Sequence, residues 1–414
     1  MVYVEHMVAE VLAKVESEGV SLRAAMEDFF GRSGIRDPTL KALMRAFALG
    51  LLRNYRKVDL LAESVLGDRY WSLDPPSRNL IRAALYEVRF RGVSVDRGLR
   101  VLSALRSARL TRRDLVWVKT ADLRELMRGL SREEELGVRF SQPTWLVRYL
   151  VKLLGYDEAV RLMRRLNRPA TLWLRVNTTL VTRRELVRRL RRRGVVVVED
   201  EDLPDVVRVV RYEKPLANLP EYRRGYFYIQ DKASALVGHV LSPRPGDLVG
   251  DVCAAPGSKA THLAQLSGEG ALILASDWSP RRMAVLASSC ARLRLASVCP
   301  VVSDSRRLPI RATCRFDRVL VDPDCSSLGR LGHSPEVRLW VRPDVVRRMS
   351  RVQYQLLNAA IDCTKPGGVI VYSTCTLTLE ENELLVERVV EERGDVELVE
   401  ACLLYTSDAA DDGE

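Results

Sequence analysis

The chain has 414 residues, 47% of them apolar, a length that predicts two or three domains with ordinary globular cores. It contains no run of 18 apolar residues, and its start, MVYVEHMVAE, lacks a basic region followed by an apolar run. Both features argue against membrane insertion or secretion and predict a cytoplasmic protein. The net charge of +11, carried mostly by Arg, favours a nucleic-acid partner, although a high-GC genome would raise the number of Arg codons without any function.

The first stretch, residues 1–130, is predicted to be all helical. Apolar residues recur at helical spacing in MVAEVLAKV and in LKALMRAFALGLLRNY. Asp37-Pro38 and Asp74-Pro75 are typical helix starts, because proline is tolerated in the first turn. The pattern indicates a small helical bundle without a catalytic cluster.

The second stretch, residues 136–225, changes to a small α+β pattern. A helical stretch follows Pro143, and the alternating segment TLWLRVN (171–177) predicts a strand. Residues 182–193 predict a helix that ends at Gly194, followed by short strands in VVVVED and VVRVV. This helix carries seven arginines. They fit a solvated face and a phosphate-facing helix equally well.

The third stretch, residues 226–402, alternates strands and helices and predicts an α/β fold with a mostly parallel, doubly wound sheet. The predicted strands are DLVGDVCA, ALILASD, SVCPVVSD, DRVLVD and GGVIVYSTC. Ligands bind at the carboxyl ends of strands in such sheets. The polar residues at those ends are therefore the candidate site.

Small residues follow the first of these strands, in DVCAAPGSK (251–259), and a helix start comes next. This arrangement lets a ligand approach the backbone and the free N–H groups of the helix. Asp277 ends the next strand, where an acid can accept hydrogen bonds from ribose hydroxyls. Asp304 ends the third strand, where it could accept a hydrogen bond from an adenine amino group. A nicotinamide dinucleotide is disfavoured, because its pyrophosphate requires a Gly-x-Gly-x-x-Gly turn and only Gly257 is present. S-adenosylmethionine has no phosphate and suits this loop.

Two of the chain's eight cysteines, Cys325 and Cys375, follow the fourth and fifth strands. No Cys-x-x-Cys pair exists, and only four histidines are present, so no metal site is predicted. Reduced cysteines either pack in the hydrophobic core or take part in a reaction. At strand ends, beside polar and glycine-containing turns, chemistry is the favoured interpretation.

The segments DVCAAPGSK, DPDCSSLG and YSTCT, in this order, resemble the RsmB/Sun family of RNA cytosine-5 methyltransferases. Upstream, FYIQDKAS (227–234) is similar to the segment that precedes that family's catalytic domain, and residues 1–130 resemble its NusB-like RNA-binding domain. The resemblance covers about residues 140–400. It implies a Rossmann-like methyltransferase domain that uses S-adenosylmethionine. The cofactor-binding residues it implies are Cys253, Ala254, Ala255, Pro256, Gly257, Ser258, Lys259, Asp277, Arg282, Asp304 and Asp322.

The resemblance also implies roles for three catalytic residues. Cys375 is the nucleophile that adds to carbon 6 of the cytosine, Cys325 is associated with product release, and Asp322 donates a proton or hydrogen bond to ring nitrogen 3. The family has proline where this chain has Asp324. A carboxylate next to Cys325 is expected to raise the pKa of that thiol by like-charge repulsion.

Several alternatives remain open. The substrate is expected to be ribosomal RNA, with transfer RNA as the alternative. A DNA cytosine-5 methyltransferase usually takes its nucleophile from the segment after strand four, and a non-catalytic ribosome-assembly protein would not need both cysteines. The chain is expected to be monomeric. A last strand is predicted near 396–401, and the acidic residues 403–414 are expected to be a non-native or disordered tail.

Overall fold

The computed structural model describes residues 4–399 of the chain, except 104, 106–108, 309 and 311–314. These residues form two compact units. The first comprises 4–169 together with 328–345, and the second comprises 170–327 together with 346–399. None of the helices in this described part is both long and apolar enough to cross a membrane. The predicted tail, 403–414, lies outside the described residues.

The first unit is helical, as the sequence predicts. The carboxylates of Asp37 and Asp74 accept hydrogen bonds from backbone N–H groups in the helices that follow them, both of which begin with proline. Gly155, at a φ of 76°, divides the stretch after Pro143 into two helices. The helices are α1 (Val4–Glu18), α2 (Leu22–Ser33), α3 (Pro38–Leu52), α4 (Tyr55–Leu66), α5 (Pro75–Phe90), α6 (Val95–Leu102), α7 (Arg112–Thr120), α8 (Leu123–Leu126), α9 (Arg132–Phe140), α10 (Thr144–Leu154) and α11 (Tyr156–Leu166).

A segment from the third stretch of sequence, residues 328–345, also belongs to this helical unit. It contains a short helix, α17 (Val337–Trp340), and its Trp340 packs against the apolar core of α1–α3. The buried Glu336 accepts a hydrogen bond from the backbone N–H of Leu22, and Arg338 donates to the carbonyl of Leu166. The chain therefore enters the helical unit directly after Ser327, two residues beyond Cys325.

The second unit begins with a four-stranded antiparallel sheet in the order β2-β3-β1-β4. The strand β4 lies beyond the predicted boundary at 225 and pairs with β1, so that Val176 faces Phe227. The helices up to 166 lie in the first unit, so this sheet region runs from about 170 to 229. Its elements are β1 (Leu172–Val176), α12 (Arg183–Arg192), β2 (Val196–Glu199), β3 (Val206–Arg211), α13 (Pro220–Arg223) and β4 (Phe227–Ile229).

The rest of the second unit is a five-stranded parallel sheet in the order β7-β6-β5-β8-β9. All five strands predicted from the sequence are present. The strand expected near 396–401 is not found, because residues 396–399 form no regular structure and 400–401 are not described. The elements are α14 (Lys232–Leu241), β5 (Leu248–Asp251), α15 (Ser258–Leu266), β6 (Leu272–Asp277), α16 (Pro280–Leu293), β7 (Val298–Val302), β8 (Phe316–Val321), α18 (Pro343–Asp362), β9 (Thr364–Tyr372) and α19 (Glu383–Arg393).

Candidate active site at the carboxyl ends of the parallel strands

The two cysteines singled out by the sequence lie next to each other. Cys325 follows β8 and Cys375 follows β9, and these strands are neighbours in the sheet. Their Sγ atoms are 3.1 Å apart, within hydrogen-bonding distance. Residues fifty positions apart in the sequence thus form one thiol pair at the edge of the sheet where ligands bind.

The contact between the two thiols perturbs the pKa of Cys325. The hydrogen bond with Cys375, together with burial, raises the pKa of Cys325 far above its ordinary value. Cys325 therefore keeps its proton and can donate to the sulfur of Cys375. Asp324 is not among the largest causes of this shift, and its carboxylate forms an ion pair with Arg282. The expected like-charge effect of Asp324 on Cys325 is thus replaced by an effect of the second thiol.

Asp322, at the end of β8, is held by two neighbours. The ammonium of Lys259 donates to its Oδ2 at 2.6 Å, and the hydroxyl of Ser373 donates to its Oδ1 at 2.8 Å. Asp322 thereby links the helix after the first strand to the strand ends that carry the thiols.

The loop between β5 and α15 forms the other side of this site. The backbone N–H of Ala254 donates to the carbonyl of Ser276, and that of Ala255 donates to a carboxylate oxygen of Asp277. Gly257 has a φ of 106°, and a Cβ at this position would lie 2.8 Å from the side chain of Leu286. Only glycine satisfies both conditions, which explains the small residue at this point of the loop.

Arg282, on α16, ties this loop to the thiol-bearing strands. Its guanidinium donates to the carbonyl of Ala255 at 2.5 Å and forms an ion pair with Asp324 at 3.1 Å. It also lies 3.5 Å from Asp277. Asp304, by contrast, stands at the exposed end of β7, where Arg306 pairs with it and lowers the pKa of its carboxyl. Asp304 is thus engaged by a cation from its own segment, whereas Asp277 and Asp324 are linked to each other through Arg282.

A buried acid lies beneath the loop. Asp251 ends β5, and within the described residues neither of its carboxylate oxygens accepts a hydrogen bond. Burial, with a smaller contribution from the charge of Asp322, raises the pKa of Asp251 to about 7. Titratable groups perturbed in this way cluster at functional sites.

Arg175, which lies on β1 in the small sheet region, is a site residue that the sequence analysis did not predict. It is fully buried, and its guanidinium donates to the carbonyl of Ser258 and to the hydroxyl of Thr261, both in the first turn of α15. A charged group from the antiparallel sheet thus holds the helix that follows the small-residue loop. Detecting it would have required knowing that β1 packs against α15.

A second contact between these regions joins Asp205 to two histidines. The Nε2 atoms of His239 and His262 lie 2.8 and 2.7 Å from its carboxylate oxygens. Burial lowers the pKa of His262 to about 4, so this imidazole is neutral at pH 7. Within the described part of the chain, these three side chains form a set that could hold a metal ion, although each Nε2 is already engaged by Asp205. The prediction of no metal site, based on the small number of histidines, remains a prediction.

The fold and the site define a Rossmann-like methyltransferase with a helical N-terminal domain. Three family models match successive parts of the chain: the NusB family over 5–96, the RsmF/B-like ferredoxin-like domain over 142–214, and the 16S rRNA methyltransferase RsmB/F over 238–410. The "Probable ribosomal RNA small subunit methyltransferase B" of Synechocystis sp. is 31% identical over 362 residues, which cover 84% of this chain and 80% of that protein. The chain belongs to the RsmB/F methyltransferase family.

Other relatives and solved structures agree with this membership. The protein of the same name from Bacillus subtilis (strain 168) is 25% identical, with 95% of this chain and 89% of that protein covered. The solved protein PH0851 is 27% identical, with a TM-score of 0.76 and coverage of 95% and 90%. NSun6 from Pyrococcus horikoshii, solved with SFG, is 25% identical, with a TM-score of 0.58 and coverage of 62% and 88%.

Proposed function

We propose that this protein transfers a methyl group from S-adenosylmethionine to carbon 5 of a cytosine in ribosomal RNA, with Cys375 as the covalent nucleophile. The observation that carries the proposal is the pair of thiols 3.1 Å apart at the carboxyl ends of β8 and β9. The names of the curated relatives support ribosomal RNA as the substrate. Transfer RNA is the alternative substrate that an experiment must separate from it.

The chemistry requires a nucleophile because carbon 5 of cytosine does not attack an electrophile readily. The thiolate of Cys375 adds to carbon 6, forming a carbon–sulfur bond and moving an electron pair toward carbon 5. S-adenosylmethionine supplies an electrophilic methyl group to that carbon. The hydrogen on carbon 5 then leaves as a proton, the ring double bond forms again, and the sulfur of Cys375 is expelled.

The thiol of Cys325 is suited to assist that last step. Because its pKa is raised, Cys325 remains protonated and can donate a hydrogen bond to the sulfur of Cys375 as negative charge returns to it. Without this donor, the expelled thiolate is less stabilised and the covalent adduct persists. The hydrogen bond between the thiols therefore supports the release role that the resemblance implies for Cys325.

Asp322 is proposed to act on ring nitrogen 3, where charge develops when the thiolate adds. To donate, its carboxyl must carry a proton. Lys259 and Ser373 hold its two oxygens by hydrogen bonds. The variant Lys259→Met removes one of these contacts, and we expect a lower kcat for methyl transfer if the contact positions Asp322.

The residues of the β5–α15 loop fit S-adenosylmethionine. Gly257 and the alanines leave the backbone accessible, and Asp277 offers carboxylate oxygens at the end of β6, where a ribose is bound in such sheets. The unpartnered, buried carboxyl of Asp251 suits a ligand that carries positive charge. SFG, present in the NSun6 structure, is an analogue of this cofactor.

The arginine-rich helix α12 offers a surface for the RNA backbone. Residues 182–193 contain seven arginines, three of which form ion pairs with acids: Arg183 with Glu199, Arg189 with Glu185, and Arg193 with Glu221. The other four are exposed, and among the described residues no ion pair involves them: Arg184, Arg188, Arg191 and Arg192. Exposed guanidinium groups of this kind bind phosphates, so we propose that they hold the RNA while the target base leaves its stack.

The experiment that tests the proposed function is methylation in vitro, followed by bisulfite sequencing. Purified protein is incubated with labelled S-adenosylmethionine and, separately, with unmodified ribosomal RNA and transfer RNA. We expect label in ribosomal RNA at a single cytosine that resists bisulfite conversion. Label in transfer RNA alone would show that transfer RNA, and not ribosomal RNA, is the substrate. No label in either RNA would favour a non-catalytic ribosome-assembly protein.

A further inference from the structure

A carboxylate that neither the fold nor the reaction explains lies behind the two thiols. Glu381 stands between β9 and α19, is fully buried, and is six residues beyond Cys375. Among the described residues, no cation forms an ion pair with it. A buried acid without a cation is costly unless hydrogen bonds compensate for the lost water. The hydrogen-bond donors to Glu381 therefore indicate which segments this side chain holds in place.

Both oxygens of Glu381 are filled by donors. Oε1 accepts from the backbone N–H of Ser326 and from the side-chain amide of Gln353, each at 2.9 Å. Oε2 accepts from the hydroxyl of Ser326 at 2.5 Å and from the hydroxyl of Thr378 at 2.8 Å. Four donors on two oxygens match the capacity of an ionised carboxylate. The surroundings of Glu381 therefore supply a donor for each acceptor position of its side chain.

These donors flank Cys325 on both sides. Ser326 follows the cysteine and gives Glu381 its N–H and its hydroxyl. Gln353, fully buried on α18, uses the same amide nitrogen to donate to the carbonyl of Asp324, the residue before the cysteine. The next residue, Ser327, is held at a φ of 57°, a conformation that a residue with a side chain keeps only when its surroundings enforce it.

The same network reaches the segment that carries Cys375. The hydroxyls of Ser326 and Thr376 are 2.5 Å apart. Since the single hydroxyl hydrogen of Ser326 goes to Glu381, the hydroxyl of Thr376 must be the donor in this pair. In addition, the phenol of Tyr372 donates to the backbone carbonyl of Glu381. One carboxylate therefore organises both segments whose thiols are 3.1 Å apart.

We propose that Glu381 is a positioning residue that sets the distance between the thiols of Cys325 and Cys375. This inference rests on the proposed function for its consequence in methyl transfer, but not for its geometry. Glu381 touches no reacting atom and acts through Ser326 and Thr376. Loss of its carboxylate lets the Cys325 segment move away from Cys375, whereas the small-residue loop that suits the cofactor is untouched.

The test compares Glu381→Ala with Glu381→Gln in the full-length protein. Glutamine has the same shape, and its amide oxygen can accept from the two N–H donors while its NH₂ group donates to the hydroxyls of Ser326 and Thr378, which can also accept. Glu383→Ala, which removes an exposed acid two residues away, is the matched control. If Glu381→Ala does not fold, Ser326→Ala replaces it, because this change removes the two hydroxyl contacts and keeps the N–H donor.

Two readouts are measured beside the melting temperature. The first is the rate at which diamide joins Cys325 and Cys375; the thiols lose two protons and two electrons, and the reagent is reduced to its hydrazine. This rate depends on thiol separation and needs no RNA. The second is methyl transfer, with kcat separated from the KM for S-adenosylmethionine. For Glu381→Ala we expect both disulfide formation and kcat to fall about 100-fold, as displacements of about 1 Å can cause, with KM unchanged. Glu381→Gln should recover most of both rates.

A folded Glu381→Ala variant with wild-type disulfide formation would overturn the inference. So would a Glu381→Gln variant as impaired as Glu381→Ala, because hydrogen bonding would then not be the cause. Slow disulfide formation in Glu381→Ala, combined with a wild-type protein that methylates no RNA, would support the positioning role and reject the proposed function. The two claims therefore fail separately.

Discussion

Buried charges are handled in opposite ways in two regions of the molecule. In the helical unit, Asp59 and Arg82 are both buried, and the guanidinium donates to both carboxylate oxygens, at 2.7 and 3.0 Å. Arg82 also donates to Glu16 and to Asn79, and the phenol of Tyr70 donates to Asp59. Burial alone would lower the pKa of Arg82, but Asp59, Tyr70 and Glu16 together outweigh it and the pKa is raised. Both charges are satisfied, which is the pattern of a structural pair.

At the carboxyl ends of the parallel strands, the buried groups are left with incomplete or unusual partners. Asp251 has a pKa raised to about 7 and, within the described residues, no hydrogen bond to either carboxylate oxygen, and the thiol of Cys325 is hydrogen-bonded to a second thiol. Groups perturbed in this way are retained where a reaction uses them. The identity of the partners, rather than burial or charge, distinguishes Asp251 and Cys325 from the Asp59–Arg82 pair.

The largest effect is expected from removing the nucleophile. Cys375→Ala should reduce methyl transfer by on the order of 10⁴-fold or more, since the covalent step is lost. The melting temperature should remain that of the wild type, because this half-buried thiol contributes little packing. Cys299→Ala, at an exposed cysteine on β7, is the control and should retain full activity. Substantial activity in Cys375→Ala would break the distinction between the two regions.

The converse is expected in the helical unit. Arg82→Met leaves Asp59 buried without its partner and should cost about 3–5 kcal/mol of local stability. Hydrogen exchange of the amides in α4 and α5 measures this loss. The double variant Asp59→Leu with Arg82→Met should recover much of it, because no unpaired charge remains. Unchanged protection in the single variant would show that the pair is not structural.

A smaller effect is expected at the contact between Asp205 and the two histidines. Because burial lowers the pKa of His262 to about 4 from its ordinary value of 6.5, the unfolded chain binds a proton between these pH values and the folded chain does not. Stability should therefore fall as the pH drops from 6.5 to 4, by about 3 kcal/mol from this residue. Asp205, whose pKa the histidines hold well below its ordinary range, extends the loss to lower pH.

Denaturant unfolding at a series of pH values measures this slope. In His262→Gln, the part of the slope between pH 6.5 and 4 should disappear. A slope that persists unchanged in this variant would assign the acid sensitivity to other groups.

The smallest effect is expected at Asp324, the position where the family resemblance breaks. Its carboxylate is mostly exposed and pairs with Arg282, so Asp324→Asn should cost less than about 1 kcal/mol. The pH dependence of thiol alkylation should not change, because Cys375 and burial set the pKa of Cys325. A marked shift of that pH profile in Asp324→Asn would show that the carboxylate of Asp324 does raise the pKa of Cys325, as the sequence predicts.

Much of the fold and part of the site could be predicted from the sequence. The ends of strands can be predicted because β-branched runs stop at polar residues. On this basis the sequence placed Cys325, Cys375 and Asp322 at the same edge of the sheet. Helix starts at Asp37 and Asp74 are readable because a cap and the following proline are adjacent in the chain. These are local signals or follow from parallel strand order.

The rest depends on tertiary contacts that local patterns do not encode. Glu381 meets Ser326 across 55 positions, and Arg175 meets Ser258 across 83. Residues 328–345 belong to the helical unit although both flanking segments lie in the other one. The strand expected near 396–401 is the opposite case, because here a local pattern predicts an element that is not formed. Its apolar alternation is not sufficient, since residues 396–399 pair with no strand in the described part of the chain.

The most direct test of the central claim is a search for the covalent adduct. Cys325→Ala is incubated with S-adenosylmethionine and substrate RNA, and the products are separated on a denaturing gel. The proposed roles predict a slow protein–RNA band that is absent in the double variant Cys325→Ala with Cys375→Ala, and is much weaker in the wild type. A Cys325→Ala reaction that methylates the RNA but yields only free protein would contradict the release role of Cys325. A slow band that persists without Cys375 would contradict its role as the nucleophile.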